Sequence, residues 1–269
     1  IIIWSPQPGP QTHLVTCPVF EVFFGGARGG GKTEGSIGDW FSHSGTYGDK
    51  AAGLFVRRKL TQLSDAIKRF RRYGLKIGAK WHEQKKELIM SNGAVLKFAY
   101  LERDTDAEEY QGHEYTRVYI EEVTNFPFPD PIMKLKGTLR SAAGVPCGLR
   151  LTGNPGGPGH HWVKARYVEE VEVEDGVFVT AEIDRVFIPS KLKDNPLLLK
   201  NDPTYVMRLR ETGSETLVKA WLEGDWNGVD GTFFSEFDEG KHVLSGKLIL
   251  PEHWTRFRAM DWGSAAPFS

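Results

Sequence analysis

Cysteine is almost missing from this chain: Cys17 and Cys147 are the only two among 269 residues, and no CxxC spacing joins them. That excludes a disulfide-stapled scaffold and a cysteine-based metal knuckle, and predicts two buried, reduced thiols. Long apolar runs are missing as well. Nothing approaches the roughly 20 residues a bilayer-crossing helix needs. The opening Ile1-Ile2-Ile3-Trp4 is too short for a signal peptide's apolar centre and has no basic flank. A cytosolic location with no membrane partner is the expectation. Net charge is nearly absent too: 34 basic against 35 acidic side chains leave −1. The chain is therefore not a free-standing polyanion binder, although a local basic groove is compatible with that balance. One concentration of charge stands out, Arg57-Arg58-Lys59 followed by Lys68, Arg69, Arg71 and Arg72. It reads either as a nucleic-acid contact, with Arg57 and Arg58 foremost, or as a solvated helix face. There is no internal repeat and no low-complexity tract. An initiator Met is lacking, and Phe257–Ser269 begins an apolar segment without a partner. A fragment of a longer polypeptide is expected.

What the chain does have is alternation of strand and helix patterns. Glu21-Val22-Phe23-Phe24 is a short apolar run entering a glycine cluster and reads as a buried strand. A helix is predicted from Lys32 to about Ser42, a strand at Gly53–Arg57 and a helix from about Thr61 to Tyr73. Ser91-Asn92-Gly93 lies between two apolar runs, Glu87–Met90 and Ala94–Tyr100, which marks a hairpin. Further strands are predicted at Arg117–Ile120 and Leu149–Thr152, with a helix over Pro131–Arg140. This pattern gives an α/β fold, a mostly parallel sheet with helices on both faces. After about Lys164 the texture changes. Val168–Asp175 alternates like an edge hairpin, Asp202–Leu222 reads as helical with a turn at Gly213 and a cap at Ser214 or Thr216, and Asn227–Leu244 reads as a connector. The expected division is a core over 1–165, a small lid subdomain over 166–226, a linker over 227–252 and the start of another domain over 253–269.

Gly26-Ala27-Arg28-Gly29-Gly30-Gly31-Lys32-Thr33 matches GxxxxGK[ST] in full, after a strand and before a helix. Glycines at 26, 29, 30 and 31 let consecutive backbone N–H groups converge on phosphates, and the helix N-terminus adds positive potential. Lys32 supplies charge to the β and γ phosphates, and Thr33 a hydroxyl to Mg²⁺. The cofactors implied are ATP and Mg²⁺. The strand Val118-Tyr119-Ile120 ends in Glu121-Glu122. There the first acid is placed to hold the metal and the second to polarise the attacking water, though the two roles could be exchanged. Arg28 is a cation the motif does not require; it could reach the γ-phosphate or a neighbouring subunit. Asn154, at the end of the next strand, is placed to sense the γ-phosphate. His160 and His161 have no companion ligands at metal spacing and read as loop residues.

Together these features resemble the large terminase subunit of tailed bacteriophages. The match is carried in order by FFGGARGGGKT, by YQGHEYTRVYIEEVTNF, by LTGNP and by Met260-Asp261-Trp262-Gly263, the last resembling the first strand of an RNase H-like nuclease. The resemblance implies a RecA-like, additional-strand P-loop ATPase with a lid. Such a motor translocates double-stranded DNA into a procapsid as a homo-oligomeric ring, with portal protein and small terminase subunit as partners. It implies residence in the cytoplasm of the infected bacterium and, transiently, at the portal vertex. It further implies Gln7 or Gln11 near the adenine, a trans-acting cation with Arg103, Arg117 and Arg140 as candidates, and Asp261 as a nuclease metal ligand in an incomplete site. Some relatives carry Arg where this chain has Gln111, and Glu121 stands where Asp is usual. A helicase, a small-molecule kinase and a nucleotide-gated assembly module are the competing classes.

Overall fold

A computed structural model describes residues 3–169, 171–174, 177–180, 185–212, 215–227 and 253–255. The chain divides into two compact units, Ile1–Gly231 and Thr232–Ser269. Only 253–255 of the second unit are described. Asp261, the linker after residue 227, and the turn and cap at Gly213 and Ser214 lie outside the described residues.

The first unit is built on one ten-stranded sheet. Its strands are β1 (Glu21–Gly26), β2 (Ala52–Arg57), β3 (Lys80–His82), β4 (Glu87–Ile89), β5 (Val95–Tyr100), β6 (Arg117–Ile120), β7 (Gly148–Gly153), β8 (Val171–Glu174), β9 (Val177–Thr180) and β10 (Arg185–Ser190). Across the sheet the order is β3-β4-β5-β2-β6-β7-β1-β10-β9-β8. The six strands from β5 to β10 in that order are parallel. Antiparallel β4 and β3 extend one edge, and β9 and β8 the other. The predicted Asn-Gly hairpin is the β4–β5 pair, and the alternating 168–175 stretch does end at an edge.

Parallel strands are covered on both faces, so they read as continuous apolar runs, and β1 and β7 are buried at every residue. Successive side chains enter opposite cores. Leu54 and Val56 join one cluster with Phe23, Ile120, Phe126 and Leu149. Phe55 and Tyr119 point the other way, against Trp40, Leu63 and Phe70. Those last residues come from α2 (Lys32–Tyr47) and α3 (Leu60–Gly74), which cover that face. Preceding them is α1 (Pro10–Thr16), and after them come the short helices α4 (Asp130–Lys136), α5 (His160–Val163), α6 (Pro196–Asn201), α7 (Tyr205–Arg210) and α8 (Glu215–Glu223).

Three expectations change. Residues 185–190 pair along the whole of β1, so the core does not end at 165; the sheet crosses the expected boundary into the lid region. His160 opens α5 and is buried rather than lying in a loop, stacked on Trp226 with ring centroids 5.4 Å apart. The two cysteines are free and only half-buried. No helix among the described residues is long and apolar enough to cross a membrane.

Candidate functional site

The order β6-β7-β1 brings three predicted features to one edge, because parallel strands all end at the same side of a sheet. The phosphate loop follows β1, Glu121 and Glu122 follow β6, and Asn154 follows β7. They enclose a cavity of about 580 Å³, walled also by Arg57, Asn195 and Tyr205. That is an ordinary size for a small-ligand site.

Gly31, in the left-handed region at φ 77°, is the residue before α2, and a Cβ there would sit 2.4 Å from the Gln11 amide nitrogen. The positive φ is what favours glycine at that position. Gln11 Nε2 donates to Gly31 O at 2.9 Å, and Asn195 Nδ2 donates to Gly29 O at 2.6 Å. Gln7 joins the two braces: its N–H donates to Gln11 Oε1, and its Nε2 to Asn195 Oδ1. Gln11 therefore holds a loop carbonyl directly and Gln7 acts through Gln11 and Asn195; neither lines the cavity. Gly26, Gly29 and Gly30 complete the loop, the first pressed on the backbone of Ser190.

Lys32 donates to Ala27 O at 2.6 Å and to Asn154 Oδ1 at 2.7 Å. Burial pulls its pKa down to about 8, against the opposing pull of Glu122 and Glu121. A buried ammonium of this kind is stabilised by an arriving anion. The Asn154 amide turns its other side to Glu122, with Nδ2 2.9 Å from Oε2. One side chain thus links the lysine to the glutamate. Glu122 itself sits at φ 54°, ψ 51°, one of two non-glycine residues at positive φ among those described. Such backbone strain is held in place where it serves a site.

Glu121 is buried, accepts a hydrogen bond from Thr33 Oγ1 through one oxygen, and takes Arg57 Nε on the other at 2.7 Å. Thr33 Oγ1 and the adjacent Glu121 oxygen form the hard donor pair a divalent cation takes beside phosphate oxygens. Among the described residues no cluster of three or more His, Cys, Asp or Glu makes a self-sufficient metal site. The residues fit a cation that enters with its phosphate.

Arg57 and Arg58 are placed differently from the groove reading. Arg57 is a wall of this cavity, also donating to Gln62 O at 2.7 Å; burial lowers its pKa, but Glu121 overrides that and raises it. Its guanidinium is spent on a buried carboxylate rather than offered to a polyanion. Arg58 pairs with Asp104 at 2.8 Å. The arginines of the basic run on α3 also face acids, Arg69 on Asp65 and Glu34, Arg71 on Glu83 and Arg72 on Glu34. Arg117 lies at the start of β6, away from the cavity, against Asp39. Arg140 pairs with Glu114, and the backbone N–H of Arg103 is capped by Asp106. Asn195, Tyr205 and Arg57 were not singled out for this cavity in the sequence; only Asn195-Pro196, a turn-and-helix-start signal, marks one of them.

A P-loop after β1, an amide after the adjacent β7 and acids after the next strand, β6, define a RecA-like P-loop NTPase fold. A family model described as "Terminase large subunit, T4likevirus-type, N-terminal" matches residues 23–241. The chain belongs to that family, the large subunit of phage terminase. Among solved structures it is similar to the large terminase of a thermophilic bacteriophage in complex with ADP, at 18% identity and TM-score 0.63, covering 82% of this chain and 54% of that one. It is also similar to the Thermus phage P74-26 large terminase ATPase domain, at 12% identity and TM-score 0.57, covering 83% of this chain and 94% of that one. At such identities the likeness shows the fold. The chain spans about half the length of the ADP-bound terminase it matches, 54%. No curated protein matches it.

Proposed function

We propose that this cavity binds ATP with Mg²⁺ and hydrolyses it, and that the chain is the ATPase part of a motor driving double-stranded DNA into a procapsid. The observation that carries the reading is the Lys32–Asn154–Glu122 linkage at the ends of three neighbouring strands. The thermophilic-phage terminase structures bound to ADP and to ATP-γ-S support nucleotide as the ligand class. The Phi-29 viral genome packaging motor assembly, similar at TM-score 0.50 and 15% identity, supports packaging as the setting.

The loop's backbone N–H groups bind the phosphates. Lys32, already buried, holds Ala27 O and Asn154 Oδ1 with two of its three ammonium donors and has the third to give to a phosphate oxygen. Thr33 and Glu121 would hold Mg²⁺, which when bound neutralises charge on the β and γ oxygens. Glu122 accepts from Asn154 through Oε2, leaving Oε1 to take a proton from the attacking water. A change in the terminal phosphate is felt at Asn154 through Lys32 and passes to Glu122 in a single side chain. A ring of copies, portal protein, small terminase subunit and a place in the infected bacterial cytoplasm and at the portal vertex complete the proposal. Arg57 has no part in it as a DNA contact.

Calorimetric titration with Mg-ATP tests the site. Lys32→Ala removes binding, and Glu122→Gln keeps binding while turnover drops by at least about 100-fold, the range of a lost general base. Unchanged binding by the lysine variant, or surviving hydrolysis by the glutamine variant, sinks the assignment.

A further inference from the structure

The last turn of α8 and the segment that follows it press on the phosphate loop at several independent points. Arg28 N–H donates to Trp221 O at 2.8 Å. The Arg28 guanidinium carbon lies 3.4 Å from the centroid of the Trp221 ring. Three residues on, Gly224 sits at φ 73°, and a Cβ there would be 2.9 Å from Ser190 O and 3.1 Å from Ala27 N. Only glycine lets the chain pass so close to the loop's start. Two residues further, Trp226 is anchored beneath β1, its ring 5.4 Å from Phe23 and 5.4 Å from His160. Trp221 is 8% exposed and Trp226 4%. The sequence Trp221-Leu222-Glu223-Gly224-Asp225-Trp226 is thus a strap fixed by one indole in the core and by another on a cation of the loop.

A guanidinium held over a ring uses its flat face, and its N–H donors lie in its plane, pointing outward. Among the described residues no acceptor takes a hydrogen bond from the Arg28 guanidinium, although the side chain lines the cavity. Burial lowers its pKa, and Glu122 is the carboxylate that most opposes this. Glu122 is also the carboxylate that most sustains the charge on Lys32. Both cations therefore serve the same end of the cavity.

We propose that Trp221 is a positioning residue for Arg28, holding the guanidinium by its face so that its N–H edge meets the terminal phosphate of a nucleoside triphosphate. This rests on the nucleotide reading of the cavity and deepens it. It also gives the strap a function: its seat on the loop is secured through a side chain that the ligand engages. Trp221 contributes aim rather than contact with the reacting atoms.

The test is a double-substitution cycle read by calorimetric titration with Mg-ATP-γ-S and Mg-ADP. Trp221→Leu weakens ATP-γ-S binding about tenfold, the scale of a partly desolvated cation–π contact, while ADP binding moves less than about threefold. Trp221→Phe, which keeps a ring face, recovers most of the loss. In an Arg28→Ala background Trp221→Leu has no further effect beyond about twofold, because the partner it acts through is gone. An equal loss in that background overturns the proposal, as does an equal weakening of both nucleotides with no recovery in Trp221→Phe. If those results come while Lys32-dependent ATP-γ-S binding persists in the unsubstituted chain, the nucleotide site stands and only the role of Trp221 falls. Absence of any Lys32-dependent binding overturns both.

Discussion

Two groups of charges with buried members lie on this sheet, one at the strand ends that face the cavity and one under α2 toward the strand starts. The second is centred on Asp39, on the same helix as Lys32 and two turns further along. Tyr119 OH donates to Asp39 Oδ2 at 2.6 Å, Arg117 Nε lies 3.3 Å from the same oxygen, and Arg150 Nε 3.6 Å from the other. Arg150 also donates to the carbonyls of Cys17, Val19 and Phe20, and Arg117 to that of Pro146. Here charge faces charge and backbone, although the buried Arg117 Nε and Arg150 Nε make no hydrogen bond, and none of these residues lines the cavity at the strand ends. At the other end Lys32, Glu121, Glu122 and Arg28 line open space. Burial alone does not separate a structural ionic cluster from a functional one. The direction of the leftover donors and acceptors does.

Removing a carboxylate from each end turns that contrast into numbers. Asp39→Asn leaves two guanidinium groups in the interior without their counter-charge, and should cost about 3–5 kcal/mol of stability, the usual result of breaking a buried pair from one side. Urea denaturation measures it. Glu122→Gln should move stability by less than about 1 kcal/mol, since the lost charge faces a cavity that water enters. A comparable loss at both positions would erase the distinction. An intermediate effect is expected at Asn154, where Asn154→Ala should leave the fold within about 1 kcal/mol of the parent. Turnover should then fall at least about tenfold, because the hydrogen bond that orients Glu122 is gone. Steady-state hydrolysis and the urea midpoint, taken together, show whether Asn154 belongs with the cavity group or with the structural one.

The cavity end was legible in the sequence, and the Asp39 end was not. Phosphate loops need glycines at fixed offsets and a strand before them, so Gly26 to Thr33 declare themselves locally. Glu121-Glu122 and Asn154 sit just beyond apolar runs, where a parallel sheet must place its ligand groups. Asp39 and His43 on α2, Arg117 on β6 and Arg150 on β7 are single polar residues, and only the tertiary fold brings those three elements together. The strand β10 was missed because Val186-Phe187-Ile188 is short and runs into Pro189, a residue that argues against an interior strand; its place between β1 and β9 is set by sheet closure rather than local preference. Arg57 was read as part of a basic run because composition cannot show that its guanidinium turns back onto Glu121. Trp221 carried no signal at all, since a tryptophan on a short helix is ordinarily core.

The comparison extends to pH, where the two ends should respond in different windows. Burial first, and then the neighbouring Arg117, hold the His43 pKa down to about 3; its Nε2 lies 2.8 Å from Thr116 Oγ1. Histidine in an unfolded chain titrates near 6.5. Below that pH the unfolded chain takes up a proton that the native state refuses, so stability falls as pH drops from about 6.5 towards 3. His160, drawn down to about 4 mainly by burial, acts in the same direction. Lys32 works at the other limit. With its pKa lowered to about 8 by burial, the native state loses a proton there that the unfolded chain keeps to about 10.4, so stability rises with pH across that interval. Nucleotide affinity should move oppositely over the same interval, since the ammonium that meets the phosphates is being neutralised. Urea midpoints from pH 4.5 to 9.5, beside ATP-γ-S titrations across the alkaline half, measure both. His43→Gln should flatten the acid limb of the stability curve and leave the decline in affinity above about pH 8 where it was; a shift of that decline would mean that the Asp39 cluster and the cavity titrate as one network after all.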